Sequence, residues 1–159
     1  MAVDMFLKLA DIPGESIDAT HKDEIQVLAW SWGISQSGSM HAGPGGGAGK
    51  ANVQDLSFTK YMDKSSPNLA FHCCKGTHFG NALLTVRKAG GNPLEYYKLE
   101  ITEVLITSIS TGGSGGEDRL TENITLNFAK WKVTYQPQDA KGAKLGGEVI
   151  QQYDIPANA

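Results

Sequence analysis

Cysteine is scarce in this chain of 159 residues: there are two, Cys73 and Cys74, and they are adjacent. Neighbouring thiols give neither the spacing of a Cys-x-x-Cys redox pair nor a disulfide framework, and they bridge each other only with strain. No stretch approaches the ~18 apolar residues needed to span a bilayer. The first ten residues interrupt their apolar run with Asp4 and Lys8, so a secretory leader is not expected. Basic runs are missing too. With 14 Lys+Arg against 17 Asp+Glu and a net charge of -3, no stripe is long enough to bind phosphates, and nucleic acid is not an expected partner.

What remains is enough for a core. Forty per cent of the residues are hydrophobic and 19 per cent charged, a balance that folds without staples and predicts one domain over residues 1–159. Val3, Met5, Leu7 and Leu9 alternate with Asp4, Phe6 and Lys8, the period of a strand with one face on a core. Further strands are expected over residues 24–33, 52–62, 81–88, 94–109, 120–135 and 148–155. In the long one, inward Leu120, Ile124, Leu126 and Phe128 give way to the opposite parity at Trp131, Val133 and Tyr135, which predicts a bulge near Ala129 and Lys130. One helix is expected after Ser65-Ser66-Pro67, ending at Lys75-Gly76. Two segments rich in glycine and serine, residues 35–50 and 111–116, read as long loops without regular structure. The whole reads as mainly β, a barrel or sandwich with one short helix.

Several fragments invite a chemical reading. Gly45-Gly46-Gly47-Ala48-Gly49-Lys50 suggests a phosphate-cradling loop, but the template needs glycine where Pro44 stands and a hydroxyl where Ala51 stands. His72, Cys73, Cys74 and His78 suggest zinc, yet the two cysteines diverge by about 100° on a helix and no second ligand pair accompanies them. Glu117, Asp118, Arg119 and Glu122 form a charged cluster that reads as a solvated turn or a polar subunit contact. Asn123-Ile124-Thr125 is formally a glycosylation sequon inside an expected strand. No catalytic constellation, cofactor site or metal site emerges.

The longer motifs carry a resemblance. Residues 2–8 (AVDMFLK), 27–33 (VLAWSWG), 52–60 (NVQDLSFTK) with 63–67 (DKSSP), and 110–123 (STGGSGGEDRLTEN) together resemble the haemolysin-coregulated protein family, the tube subunit of the bacterial type VI secretion system. The resemblance runs in order over nearly the whole chain. It implies a β-barrel of two antiparallel sheets flanked by one short α-helix, with a long Gly-rich extended loop. It further implies a homohexamer whose rings stack into a hollow tube propelled from the cell, with spike and sheath components and effector proteins as partners and no membrane insertion. The protein would be cytoplasmic before assembly and then exported without a signal peptide. The alternatives are a soluble extracellular binding module or a nucleotide-binding enzyme using residues 45–50.

On this reading Ser39, Met40, His41, Gly45, Gly46 and Gly47 in one loop, and Gly113, Ser114 and Gly115 in the other, are expected at the contacts between rings. Strand alternation puts Trp30 and Trp32 on one face, against the core or a neighbouring subunit. It puts the small Ala29 and Ser31 on the other, which by the family's architecture would line the channel and touch cargo.

Overall fold

Alternation of apolar and polar side chains makes this chain a succession of strands. The computed structural model describes residues 2–159; Met1, the first residue of the stretch read above for a leader, lies outside the described residues. In chain order come β1 (Val3–Leu9), β2 (Ile25–Gln26), β3 (Ala29–Ser31), β4 (Ile34–Ser35), β5 (Asn52–Val53) and β6 (Leu56–Tyr61). Helix α1 (Ser65–Lys75) follows, and then β7 (His78–Lys88), β8 (Glu95–Gly112), β9 (Thr121–Asn127), β10 (Lys130–Tyr135) and β11 (Val149–Asp154). The expected strand over residues 24–33 is thus two short strands.

β8 organises the rest. Its first half pairs with β7 on one edge and β10 on the other, while its second half, from Leu105, pairs with β9. Between the two halves Glu103 adopts φ 57°, a conformation that β-strand residues do not normally take, and the strand turns there. One layer is therefore β2-β1-β7-β8-β10-β11, and the other is β3-β6-β9 with the end of β8. Their apolar faces meet in one core. Leu7, Ile25, Leu84, Leu99 and Ile101 come from the first layer and Leu56, Phe58, Ile106, Ile124 and Leu126 from the second. Each such side chain contributes roughly 1.5–3 kcal/mol by leaving water.

The expected barrel does not close. Among the described residues, β2 and β3 at the two ends of the path form no ladder with each other. Val27 and Leu28 join them instead, donating N–H groups to Met5 O at 2.9 Å and to Thr59 O at 2.8 Å. The two expected sheets are accordingly one nine-stranded antiparallel sheet folded over on itself and a small sheet of β4 and β5.

That small sheet corrects the reading of residues 35–50 as irregular. The segment is a hairpin arm: β4 pairs with β5, Gly38 bridges Ala48, and Ser39 N–H donates to Gly47 O at 2.8 Å. The ladder needs only backbone groups, so a glycine-rich sequence can form it. Gly43 and Gly45 turn the tip at φ 93° and 89°, where a side chain would be strained.

Helix α1 packs on β8 through the fully buried Leu69. Its last turn is closed by Gly76 at φ 63°, with Thr77 N–H donating to His72 O at 3.2 Å, a left-handed cap that glycine adopts without cost. The single strand expected over residues 120–135 is two, β9 ending at Asn127 and β10 beginning at Lys130, so a break between strands stands where a bulge was expected. Residues 10–24 form a loop stapled over β1. The His21 ring stacks on Phe6 at 4.5 Å and faces Glu24 Oε2 at 2.8 Å and Glu95 Oε1 at 2.6 Å. Arg87 also lies over the Phe6 ring, 5.0 Å from its centroid, and pairs with Asp4 and Asp18.

Candidate functional surface

The second layer presents an outer face whose composition follows from its registers. Pairing aligns Trp30, Phe58, Ile124 and Ile109 in one cross-strand row, and Leu56, Leu126 and Ile106 in another, all turned to the core. The intervening rows point the other way. They are Ala29, Thr59, Asn123 and Ser110, and then Ser31, Ser57, Thr125 and Ser108. Eight positions on four strands thus carry small side chains, seven of them hydroxyl or amide and none of them charged. Thr59 Oγ1 donates to Asn123 Oδ1 at 2.7 Å, which leaves the Asn123 amide N–H groups for a partner. A shallow depression of about 240 Å³ in this wall lies over Ala29, Ser31, Ser57, Thr59 and Asn123.

The two tryptophans sit behind this face, half-buried and packed against the core. Trp30 stacks on Tyr97 with ring centroids 5.1 Å apart, and Trp32 meets Trp131 edge-on at 5.4 Å. Ala29 and Ser31 are exposed. The loop residues of the sequence reading divide between the two ends of the strands. Ser39, Met40, His41, Gly45, Gly46 and Gly47 lie at the tip of the arm, which extends from β3 and returns toward β6. Gly113, Ser114 and Gly115 lie in the β8–β9 loop at the opposite end. The phosphate-loop fragment at residues 45–50 belongs to the arm and leads into strand β5, with no helix N-terminus behind it. His72 Nδ1 is within 2.8 Å of Thr77 Oγ1, Cys73 packs partly against the core and Cys74 is exposed.

Sequence reading missed what lies under the wall. Lys60 and Glu122 are both fully buried, with Nζ and Oε2 2.6 Å apart. Lys60 also donates to Asp63 Oδ1 at 3.0 Å and Tyr61 O at 3.1 Å, while Ser66 Oγ donates to Glu122 Oε2 at 2.7 Å. This network ties the start of α1 to β6 and β9. The charged cluster at residues 117–122 is therefore split: Glu117, Asp118 and Arg119 are exposed, Arg119 lying 3.9 Å over the Tyr61 ring, and Glu122 is interior. Strand parity was the available signal, since Glu122 shares its face with Ile124 and Leu126.

Known proteins share this fold. Residues 6–135 match the family model described as "Type VI secretion system effector, Hcp". The chain belongs to the Hcp family. It is 65% identical over 159 residues to Protein hcp1 of Pseudomonas aeruginosa, covering 99% of this chain and 98% of that protein. Among solved structures, Hcp1 from Salmonella typhimurium superposes with a TM-score of 0.82 at 42% identity, covering 99% of this chain and 98% of the other. A structure described as a type six secretion system protein gives a TM-score of 0.93 at 32% identity, covering 99% of both chains. A type VI secretion system effector from Yersinia pestis gives 0.78 at 39% identity, covering 96% of this chain and all of that one. The chain is thus a type VI secretion protein with the Hcp fold. No helix among the described residues is long and apolar enough to cross a membrane.

Proposed function

We propose that six copies of this chain close into a ring, that rings stack into the type VI secretion tube, and that the face built on Ala29, Ser31, Thr59 and Asn123 lines its channel. The observation that carries this reading is the face itself: eight outward positions in two cross-strand rows over four strands, all small and uncharged, a composition suited to a wall past which cargo slides. The edges of the same layer support closure. Among the described residues, β3 pairs only with β6, and the segment of β8 beyond Leu105 pairs only with β9. Each copy therefore offers two different open edges, the requirement of a heterologous ring.

Strand spacing sets the scale. Four strands at about 4.8 Å make roughly 19 Å of wall per copy, so a ring of six encloses a circle of roughly 37 Å between backbones, wider as the strands tilt. The role is structural, with no chemical step. The protein assembles in the cytoplasm, engages spike and sheath components, carries effector proteins in the channel and leaves the cell with the tube.

Ser31→Gln tests the channel assignment, because it lengthens one side chain of the wall while keeping it uncharged. Rings should form normally, and an effector that co-purifies with the wild-type ring should be lost. Misfolding of the variant would place Ser31 in a packed interior. Intact rings that retain every effector tested would remove this face from the channel.

A further inference from the structure

The side of the first layer turned away from the core is polar, and the loop of residues 10–24 lies on it. The β1–β7 register sends Leu7 and Leu84 inward and sets Asp4 opposite Arg87 and Phe6 opposite Thr85 on the outward side. Yet Phe6 is only 2% exposed, and Thr85 and Arg87 are buried with it. The loop covers them with His21, which is itself buried and stacked on the Phe6 ring.

Both nitrogens of His21 meet carboxylates. Nδ1 lies 2.8 Å from Glu24 Oε2 at the end of the same loop, and Nε2 lies 2.6 Å from Glu95 Oε1 on β8. An ionised carboxylate accepts and never donates, so both contacts need an N–H on the ring, and only the imidazolium has two. A neutral ring would set one nitrogen lone pair against a carboxylate oxygen at hydrogen-bond distance. The neighbouring charges ask for the same cation. Asp4 on β1, Asp18 and Glu24 on the loop and Glu95 on β8 are four carboxylates, set against Arg87 on β7 and Lys98 on β8, whose Nζ is 3.5 Å from Glu95 Oε2. Lys22 and Asp23, next to His21 in the chain, are exposed.

Among the described residues, side-chain clamps hold the loop at three points: Asp18 on Arg87, Glu15 Oε2 accepting from Lys64 N–H at 2.7 Å, and His21 on Glu95. Arginine stays charged throughout the range in which proteins are folded, and a backbone N–H has no proton to lose there. The imidazole is the clamp whose donors depend on pH. We propose that His21 is a proton-operated latch: the doubly protonated ring holds residues 19–24 to β8, and loss of one proton frees that segment while Asp18 and Glu15 keep the rest of the loop in place. The latch closes toward mildly acidic pH and opens as pH rises, because the closed form is the one that holds the extra proton. The device is internal to one chain.

Hydrogen exchange read by mass spectrometry tests the latch, with protection corrected for the intrinsic pH dependence of exchange. Protection over residues 19–24 should fall about tenfold between about pH 6 and about pH 8.5, while that of β6 stays constant. His21→Gln offers one donor and one acceptor, so the segment should be weakly protected at both ends of the range. Glu95→Gln keeps the ring and its stacking on Phe6, and a neutral amide can donate to or accept from either form of the ring, so the pH step should shrink there as well. That second variant decides the matter if the first does not fold. Unchanged protection of residues 19–24 in the wild-type protein, a loss shared equally by β6, or a step of full size in Glu95→Gln would overturn the latch.

Discussion

Replacing Lys60 by Met should destabilise this protein more than replacing Glu122 by Gln, although both residues belong to one ion pair. The two are fully buried and 2.6 Å apart, so neither charge has solvent to fall back on. Without Lys60, the Glu122 carboxylate keeps only the Ser66 hydroxyl on Oε2, and its Oε1 has no partner among protein atoms. An uncompensated buried carboxylate of this kind costs about 4–5 kcal/mol. Without the Glu122 charge, Lys60 still donates to Asp63 Oδ1 at 3.0 Å and Tyr61 O at 3.1 Å, and a loss of about 2–3 kcal/mol is expected.

Against a total stability of about 5–15 kcal/mol, the first change is large. Urea unfolding followed by tryptophan fluorescence reads it as a fall in midpoint on the order of 2 M. The double variant Lys60→Met/Glu122→Leu removes both charges and should return to within about 1 kcal/mol of the starting protein. The reasoning fails if Lys60→Met costs less than about 1 kcal/mol, or if the double variant is as unstable as the two single losses added together.

Three further expectations follow from other parts of the fold. Asp18 and Glu95 should make the clasp of residues 10–24 sensitive to acid. The Arg87 guanidinium beside Asp18 holds its carboxyl well below the usual range, and burial pushes Glu95 up but is outweighed by the His21 ring and Lys98, for a net lowering. Carboxyls lowered by folding stabilise the protein above their unfolded values and cease to do so as pH falls below about 4.5. Glu95→Gln should therefore flatten the acid limb of a plot of unfolding midpoint against pH, and an unchanged limb would dismiss the clasp. Glu103→Gly should raise stability by up to about 1 kcal/mol in thermal unfolding, because φ 57° suits glycine, whereas a destabilised variant would mean that side-chain contacts outweigh the backbone term. Deleting residues 43–49 should leave rings intact and weaken their growth into tubes by microscopy, and undiminished tubes would sever the arm from stacking.

Much of this architecture is legible in alternation alone, because a strand half-buried in water must repeat every two residues. Leu56, Phe58, Ile124 and Leu126 all fall inward as their parity requires. The same rule assigned Leu120 to the interior, but it precedes β9 at the mouth of a glycine loop and stays partly exposed. Lys60 and Glu122 follow parity and contradict composition: each reads as a surface charge until the other is found opposite it in the β6–β9 register. Pairing between distant strands is the information a single sequence withholds. Whether β2 and β3 form a ladder or are merely joined by Val27 and Leu28 depends on contacts far apart in the chain, and so the residue pattern left barrel and sandwich open, with the barrel implied by the family resemblance alone. The arm was hidden for a different reason, since its hairpin is held by backbone groups that every residue carries.

The channel assignment of Ala29, Ser31, Thr59 and Asn123 is tested most directly by a cryo-electron microscopy reconstruction of the purified protein. A hollow six-fold ring with these four side chains on its inner wall is the expected result. A ring that carries them on its outer surface or in a subunit contact, or a protein that forms no ring, would contradict it.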